Sequence, residues 1–471
     1  MSDVPPSDLR RYGPRLAALS LAMLLPSLGT SIANVALPTL AASFEATMAE
    51  VQWVVISYLL AVTSLIVGAG RLGDILGRSR LLLMGIGLFA AASAAGAVAP
   101  SLWVLIAARA AQGLGAAVMM ALTVAMVGDL VPKDRTGSAM GLLGTVSAVG
   151  TALGPSLGGA LIAGFGWPAV FAFMAILGGI SLLVGRVLFP PDATGAQRPT
   201  GLDPIGMVLL ALSLLAVTAT LTFGSGLSGP AFAAAAFVSL GGLVAFVRHQ
   251  ARVPTPLLRM DLLHEPAIGT GLLSMSLVSA ILMATLVVGP FYLSGVLGLG
   301  AVQTGLAMSV GPGIAALTGA PAGRLIDRLG SARVGVAGLV AVMAGAFLMT
   351  VLPGRFGIGG YVASLVIVTF GYALFQAANT TVVMRAAPGD QRGVTSALLG
   401  LARNLGLIAG ASAMGVIYAL GPRALEAVGL RSGSDSGLQV TFAVATGLAA
   451  LALAGTLSSR AASCATSLPV R

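Results

Sequence analysis

The sequence predicts an all-α integral membrane protein of fourteen spans, arranged as two six-helix halves with an extra pair between them. Three observations carry that prediction. First, 57% of the 471 residues are hydrophobic and 8% are charged, with mean hydropathy +0.99, where a soluble domain carries roughly 25% charged residues. A water-soluble fold cannot hide so much apolar surface, whereas a bilayer requires it. Second, the apolar residues fall in runs long enough to cross a membrane. Third, a hydrophilic turn in the first half returns in the second.

Composition also limits function. The formal net charge of +10 would suggest nucleic acid or an anionic surface if the arginines were clustered. They sit instead in short turns between apolar runs, so no nucleic-acid partner is expected. The single cysteine, Cys464, lies in the tail and leaves no disulfide framework and no cysteine-based metal site. His249 and His264 flank one polar turn and read as solvated loop residues. No cofactor is expected.

A spanning helix needs about 20 apolar residues. Such runs fall at 14–36, 51–70, 81–98, 102–126, 138–163, 168–189, 205–223, 230–247, 267–293, 301–322, 333–353, 359–384, 394–420 and 438–458. The first follows Arg10, Arg11 and Arg15 and resembles a signal peptide's apolar core. Thirteen spans follow it, so it is expected to be retained. With the N-terminus inside, the cytoplasmic turns receive Arg71, Arg78, Arg80, Lys133, Arg135, Arg186, Arg198, Arg248, Arg252, Arg259, Arg324, Arg328, Arg333, Arg385 and Arg392. The outer turns receive only Arg355, Arg423 and Arg431. One missed or surplus span would invert every later turn and destroy this asymmetry, so both termini are expected in the cytoplasm.

The repeated turn is Gly70-Arg71-Leu72-Gly73-Asp74-Ile75-Leu76-Gly77-Arg78-Ser79-Arg80, which returns as Gly323-Arg324-Leu325-Ile326-Asp327-Arg328-Leu329-Gly330-Ser331-Ala332-Arg333. A second pair, Pro132-Lys133-Asp134-Arg135-Thr136-Gly137 and Pro388-Gly389-Asp390-Gln391-Arg392-Gly393, follows each at a similar interval. Duplicated halves are a common plan of secondary transporters. Six spans match six and leave the pair near 205–247 as the surplus, after the linker Pro190-Pro191-Asp192-Ala193-Thr194-Gly195. The expected division is 1–189, a central segment 190–265 with the extra pair, and 266–471.

These turns resemble the inter-helix signature of the major facilitator superfamily. Arg109-Ala110-Ala111-Gln112-Gly113-Leu114-Gly115 is similar to its R-x-x-Q-G-x-G motif, and Gly150-Thr151-Ala152-Leu153-Gly154-Pro155-Ser156-Leu157-Gly158-Gly159 to the G-x-x-x-G-P-x-x-G-G motif of its antiporters. Asn34-Val35-Ala36-Leu37-Pro38, with Gln52, Trp53 and Tyr58, resembles the fourteen-span drug:proton antiporter branch. The resemblance implies a major facilitator fold in a bacterial inner membrane, working by alternating access with protons as the coupling ion. The expected partners are a small-molecule solute, protons and the lipid bilayer, with the chain acting as a monomer.

Each motif also has a physical reading. In the repeated turn, Gly70, Gly77, Gly323 and Gly330 let two helix ends approach closely, while Asp74 and Asp327 can accept hydrogen bonds from a helix N-terminus or an arginine such as Arg71, Arg78, Arg80, Arg324 or Arg333. Such a latch has two states, as alternating access requires; a solvated turn obeying charge asymmetry is the plainer reading. Gly150, Gly154 and Gly158 recur every four residues and form a smooth stripe for close helix contact, joined by Gly159, with Pro155 bending the helix. The expectation is that this stripe seals a pathway between the halves.

Arg109 lies roughly 10 Å inside the outer end of its span and Arg403 about 15 Å inside the cytoplasmic end. A bare arginine at the centre of a membrane helix costs about 2.5–3.5 kcal/mol on insertion scales. Both are therefore expected to face the bundle interior, Arg109 beside Gln112 and Gly113, with snorkelling to an interface as the alternative. Asn34, Tyr58, Gln376, Asn379 and Arg403 are the candidate lining of a solute cavity, with Tyr292, Tyr372 and Phe375 near them; hydrogen bonding between helices serves equally for any one of them.

The sequence departs from the antiporter pattern at one place. Those proteins usually carry an acid in the first span, where Gly29 stands here. All the acids of this chain lie in turns, tails or span ends, and the deep charges are cationic. An unpaired buried charge is expensive, so a neutral or anionic solute is expected rather than a cationic dye. Uptake of a neutral metabolite, such as an aromatic vitamin, fits the missing acid as well as export does. An enzyme is not expected: Gly224-Ser225-Gly226-Leu227-Ser228-Gly229 matches G-x-G-x-x-G only as a turn with no preceding strand. The turns are too short and plain for a channel's filter.

Overall fold

A computed structural model describes residues 7–131, 136–189, 203–253, 256, 262, 265–388, 392–427, 429 and 433–466. Among these residues the regular elements are helical. They run α1 (Ser7–Ser43), α2 (Met48–Val51), α3 (Trp53–Leu76), α4 (Arg78–Ala97), α5 (Leu102–Leu130), α6 (Thr136–Phe165) and α7 (Pro168–Leu188), then α8 (Pro204–Phe223) and α9 (Gly229–Gln250), then α10 (Pro266–Phe291), α11 (Ala301–Leu329), α12 (Ser331–Ala386), α13 (Arg392–Ala427) and α14 (Ser436–Thr466). The linker 190–202, residues 132–135, residues 389–391 and His264 lie outside the described residues.

Local chemistry sets the boundaries. Proline stands in the first turn of α7, α8, α9 and α10, where its missing N–H is one of the donors a helix start leaves unpaired. The repeated turn breaks the chain at Gly77 (φ 93°, ψ 128°) and again at Gly330 (φ 84°, ψ 144°). Both angles lie where a Cβ is strained, so the same backbone conformation ends α3 and α11.

Among the described residues twelve helices are long and apolar enough to cross a membrane, against fourteen apolar runs in the sequence. Two elements account for the difference. The helix α12 has 56 residues, about 84 Å at 1.5 Å per residue, where a bilayer core is about 30 Å. It folds back at Gly357 (φ 54°, ψ −131°), so the runs 333–353 and 359–384 are its two arms. A Cβ on Gly345 would lie 2.6 Å from the Val368 nitrogen, and one on Gly338 2.6 Å from that of Phe375, so the arms pack backbone on backbone. The other element is α11, which is not among the twelve; Gln303, Thr304, Gly311, Pro312 and Gly313 thin its apolar content.

The packing pairs recur. In the first half α1 packs on α6, α3 on α5, and α4 on both α5 and α7; in the second, α10 packs on α13, α11 on α12, and α12 on α14. Glycines make the closest approaches in corresponding places: Gly150 and Gly154 of α6 press on α1, and Gly406 and Gly410 of α13 press on Ser276 and Ala280 of α10. The halves meet through α6 against α11 and α3 against α13. The pair α8–α9 flanks this seam, with α8 on α3 and α13. Phe237, Val238 and Leu240 of α9 are more than half exposed, a surface that lipid solvates and water does not.

Candidate functional site

Arg109 forms the hub of the first half. Its side chain is 1% exposed, and Nε donates to the Val54 carbonyl at 2.9 Å while Nη2 donates to the Gly29 carbonyl at 3.1 Å. Nη1 donates to Gln112 Oε1, and the guanidinium lies 4.2 Å over the Tyr58 ring. Gln112 Nε2 donates in turn to Ser93 Oγ at 2.6 Å, and Tyr58 Oη donates to the Pro26 carbonyl at 2.8 Å. One cluster therefore ties α1, α3, α4 and α5. The guanidinium is met by carbonyl dipoles, an amide and an aromatic face rather than by a carboxylate. Gly113 belongs to the same packing, since a Cβ there would lie 2.8 Å from Ala61 Cβ on α3.

The two copies of the repeated turn differ in pairing. In the first, Arg78 Nε donates to Asp74 Oδ1 at 2.9 Å and Nη1 bonds Asp129 on α5. In the second, Asp327, Arg324 and Arg333 are exposed, and among the described residues they form no ion pair. The sequence carries the reason. Asp129 stands three residues before Pro132, whereas Arg385 stands three before Pro388, so the second copy lacks the carboxylate that closes the bridge. Asp129 was not among the expected latch residues. Gly70 and Gly323 have open space where a Cβ would project, so neither is held to glycine by packing. Arg71 is half-buried and Arg80 exposed at the same end of the bundle.

The glycine stripe of α6 presents two faces. Gly150, Gly154 and Gly158 lie against α1, where added Cβ atoms would meet the Leu24 carbonyl at 3.0 Å, Ile32 N at 3.0 Å and the Ile32 carbonyl at 3.0 Å. That contact is within the first half, not between halves as the spacing suggested. The contact between halves is made one residue further round. Pro155 and Gly159, about 100° from Gly154 and Gly158, face α11. A Cβ on Gly159 would lie 3.3 Å from Gly305 Cα, and one on Gly305 would run into the Pro155 carbonyl. Across the other seam, Gly415 of α13 leaves room for the Gln52 carboxamide, which is buried and has no hydrogen-bond partner. Both contacts lie at the end of the bundle opposite the termini.

Below them, a cavity of about 280 Å³ lies between α6 and the helices α10, α11, α12 and α13. Its polar lining includes Ser147 and Thr151 from α6, Thr369, Tyr372 and Gln376 from the second arm of α12, and Arg403 from α13. Leu282, Leu286, Met308, Pro312 and Leu365 supply apolar wall. Gln376 and Arg403 are thus brought together; Asn34, Tyr58 and Asn379 are not in this lining. Asn34 donates to the Thr30 carbonyl at 3.1 Å inside α1, and Tyr58 belongs to the Arg109 cluster. Asn379 donates to the Gly271 carbonyl at 3.0 Å and lines a separate cavity with Phe375 between α10, α12 and α14. Tyr292 is buried against Tyr361, with ring centroids 6.1 Å apart.

At the foot of α8–α9, Asp203 caps α8. It accepts from Gly206 N, from His249 Nε2 and from Gln250 Nε2, each at 2.8 Å. Burial pushes the Asp203 carboxyl up, but the bonds from His249, Gly206 and Gln250 outweigh it and hold the group below the usual carboxylate range. His249 is therefore a partly buried anchor and not a solvated loop residue. The D-P helix start at Asp203-Pro204 was the available signal.

Comparisons with known proteins agree with this fold. A family model described as the Major Facilitator Superfamily matches residues 19–411. An uncharacterized transporter of Escherichia coli, YebQ, is 33% identical over 94% of this chain and 94% of its own. The tetracenomycin C resistance and export protein of Streptomyces glaucescens is 29% identical over 89% of this chain and 78% of its own. The riboflavin transporter RibZ of Clostridioides difficile is 26% identical over 86% and 88%. In fold, the chain matches the inward-facing, unoccupied crystal structure of a bacterial homologue of the human lysosomal transporter Spinster, with TM-score 0.67 and 15% identity over 97% of this chain and 98% of that one. With its helices, its repeated turn and its family match in agreement, the chain belongs to the Major Facilitator Superfamily and is a multi-pass membrane transporter.

Proposed function

We propose that this protein is a secondary carrier that moves a small neutral or anionic organic solute by alternating access. The observation that carries this reading is the cavity between α6 and α10–α13, whose lining, among the described residues, has Arg403 as its one charge and no carboxylate. A cationic solute there would face a like charge in a low-dielectric space. The carrier has fourteen spans in a six-two-six order, counting α11 once and α12 twice. Its boundaries are 1–189, 190–265 and 266–471, both termini are cytoplasmic, and it resides in a bacterial inner membrane. In that orientation the contacts at Gly159–Gly305 and Gln52–Gly415 seal the outer side. The latch works through Asp74, Arg78 and Asp129, and the Arg109 cluster holds the first half rigid while the halves rock.

The antiporter motif on α6 and the likeness to an export protein support export, with protons as the driving ion. Uptake of a neutral aromatic metabolite is the second reading, favoured by the likeness to RibZ and by the glycine at position 29. Counterflow in proteoliposomes tests both. A panel of a neutral vitamin, organic anions and cationic dyes is loaded with and without a pH gradient. Saturable flux of neutral or anionic solutes is expected, and preferential saturable flux of cationic dyes overturns the reading.

A further inference from the structure

The two deep arginines differ in one decisive respect. Arg109 is satisfied by its own protein, with Nε, Nη1 and Nη2 all donating and Tyr58 beneath the plane. Arg403 is not. Its Nε is buried and has no hydrogen-bond partner, and among the described residues the side chain forms no ion pair. Arg403 as a whole is half-buried. A guanidinium whose Nε is sealed from solvent with no acceptor has nonetheless lost part of its hydration without replacement, which costs free energy unless something accepts from it. Two more orphan groups share its cavity. Tyr372 is 5% exposed and Thr369 2% exposed, and neither Tyr372 Oη nor Thr369 Oγ1 has a partner. Thr369, Tyr372 and Gln376 stand three and four residues apart, on one face of the second arm of α12.

We infer that this cavity is an anion site, in which Arg403 takes the carboxylate of a small aromatic or otherwise flat apolar acid. Guanidinium matches a carboxylate bidentately, and the two hydroxyls and the Gln376 amide supply neutral donors around it. The apolar body lies against Leu282, Leu286, Met308 and Pro312, which line the same space. A cavity of about 280 Å³ lies just below the ~300–1,000 Å³ typical of ligand pockets, which favours a compact solute. The inference rests on the carrier reading and narrows it, from a neutral or anionic solute to an organic carboxylate. It also gives Arg403 a role that its depth alone does not, since a packing role would leave its donors bonded to neighbours.

The test separates binding from transport. The full chain in detergent is titrated calorimetrically with benzoate and 2-naphthoate, and with the two matching carboxamides, which keep shape and lose charge. At least one acid should bind about tenfold or more tightly than its amide, a preference that R403Q removes and R403K partly keeps. Y372F and T369V, which leave the charge in place, should each weaken acid binding roughly three- to tenfold and guard against a misfolded R403Q. Equal binding of acid and amide, no binding of either acid, or a preference that survives R403Q overturns the inference. Counterflow of the same compounds is measured in parallel. Acid-selective binding without flux leaves the anion site standing and sinks the carrier reading; flux of neutral solutes without acid binding does the reverse.

Discussion

The Gly29 carbonyl accepts a hydrogen bond from Arg109 Nη2 at 3.1 Å, so a backbone group takes the part of counter-charge for a deep guanidinium. A Cβ at Gly29 would lie 3.5 Å from Tyr58 Oη and 3.4 Å from the Phe89 ring, ordinary contact distances. Gly29→Asp should therefore fold, pair with Arg109 and neutralise the positive charge near α1. The expected outcome is measurable flux of a cationic dye that the parent carries poorly. A folded Gly29→Asp with unchanged dye flux would argue against the charge account of selectivity.

Removing Arg109 has a different consequence. Arg109→Ala leaves Gln112 Oε1 without its donor and strips the second donor from the helical carbonyls of Val54 and Gly29 in a buried cluster. Each such loss costs about 1–3 kcal/mol, so the melting temperature in detergent should fall measurably and transport with it. Arg109→Lys keeps charge but cannot reach three acceptors in a fixed fork, so its melting temperature should lie between those of the parent and Arg109→Ala.

Arg78 should behave in the opposite way. Its side chain is 34% exposed, and those of its partners Asp74 and Asp129 are 36% and 71% exposed, so solvent screens the bridge. Arg78→Ala should change stability by less than about 1 kcal/mol while cutting initial flux several-fold. Intact flux would return the bridge to an ordinary surface contact. Cysteines at positions 80 and 333 should label from the same side of the membrane, and a cysteine at Trp103, 59% exposed at the other end, from the opposite side.

Between the halves, Gly305→Val forces a side chain onto the Pro155 carbonyl of α6. The variant should insert and fold, because the clash arises only when this seam closes. Flux should fall by about tenfold or more, with a cysteine at the neighbouring, buried Thr304 more accessible to an impermeant reagent than in the parent.

The Asp203 anchor predicts a pH dependence. Its folded carboxyl titrates below the ordinary value of about 3.9, so its contribution to stability is complete above that value and is lost as pH falls through the lowered one. Asp203→Asn should destabilise the parent at neutral pH, by about 1.5–3 kcal/mol for a bond to a charged group. The difference between the two should shrink as acid is added, as thermal melts across pH will show.

The repeated turn was legible because its glycines sit where only a positive φ works: Gly77 and Gly330 end their helices with nearly the same angles. The arginine depths were legible for the same kind of reason, since spacing along a helix fixes distance from its end. What spacing does not fix is rotation. Gly150, Gly154 and Gly158 were readable as a contact stripe, yet whether α1 or α11 lay against it depended on the orientation of α6 about its axis. The same ambiguity separates Gln376 from Asn379. The two are three residues apart and only about 60° apart around one helix, yet they open onto different cavities. The link from Asp203 to His249 spans 46 positions, and no local pattern announces a pairing across a helical hairpin.

The backbone-on-backbone packing inside α12 bears on how selectivity and movement are divided. Val342 and Gly338 lie so close to Gly371 that an added Cβ would fall 2.6 Å and 2.7 Å from their main-chain atoms. The segment bearing Thr369, Tyr372 and Gln376 is thereby clamped to residues 331–356, with no side-chain cushion to absorb a shift. Recognition groups mounted on so stiff a frame travel with it as one piece. A tight inhibitor of this region should accordingly hold its pose whichever side of the membrane the carrier faces, and discriminate among solutes by fit rather than by the timing of a gate.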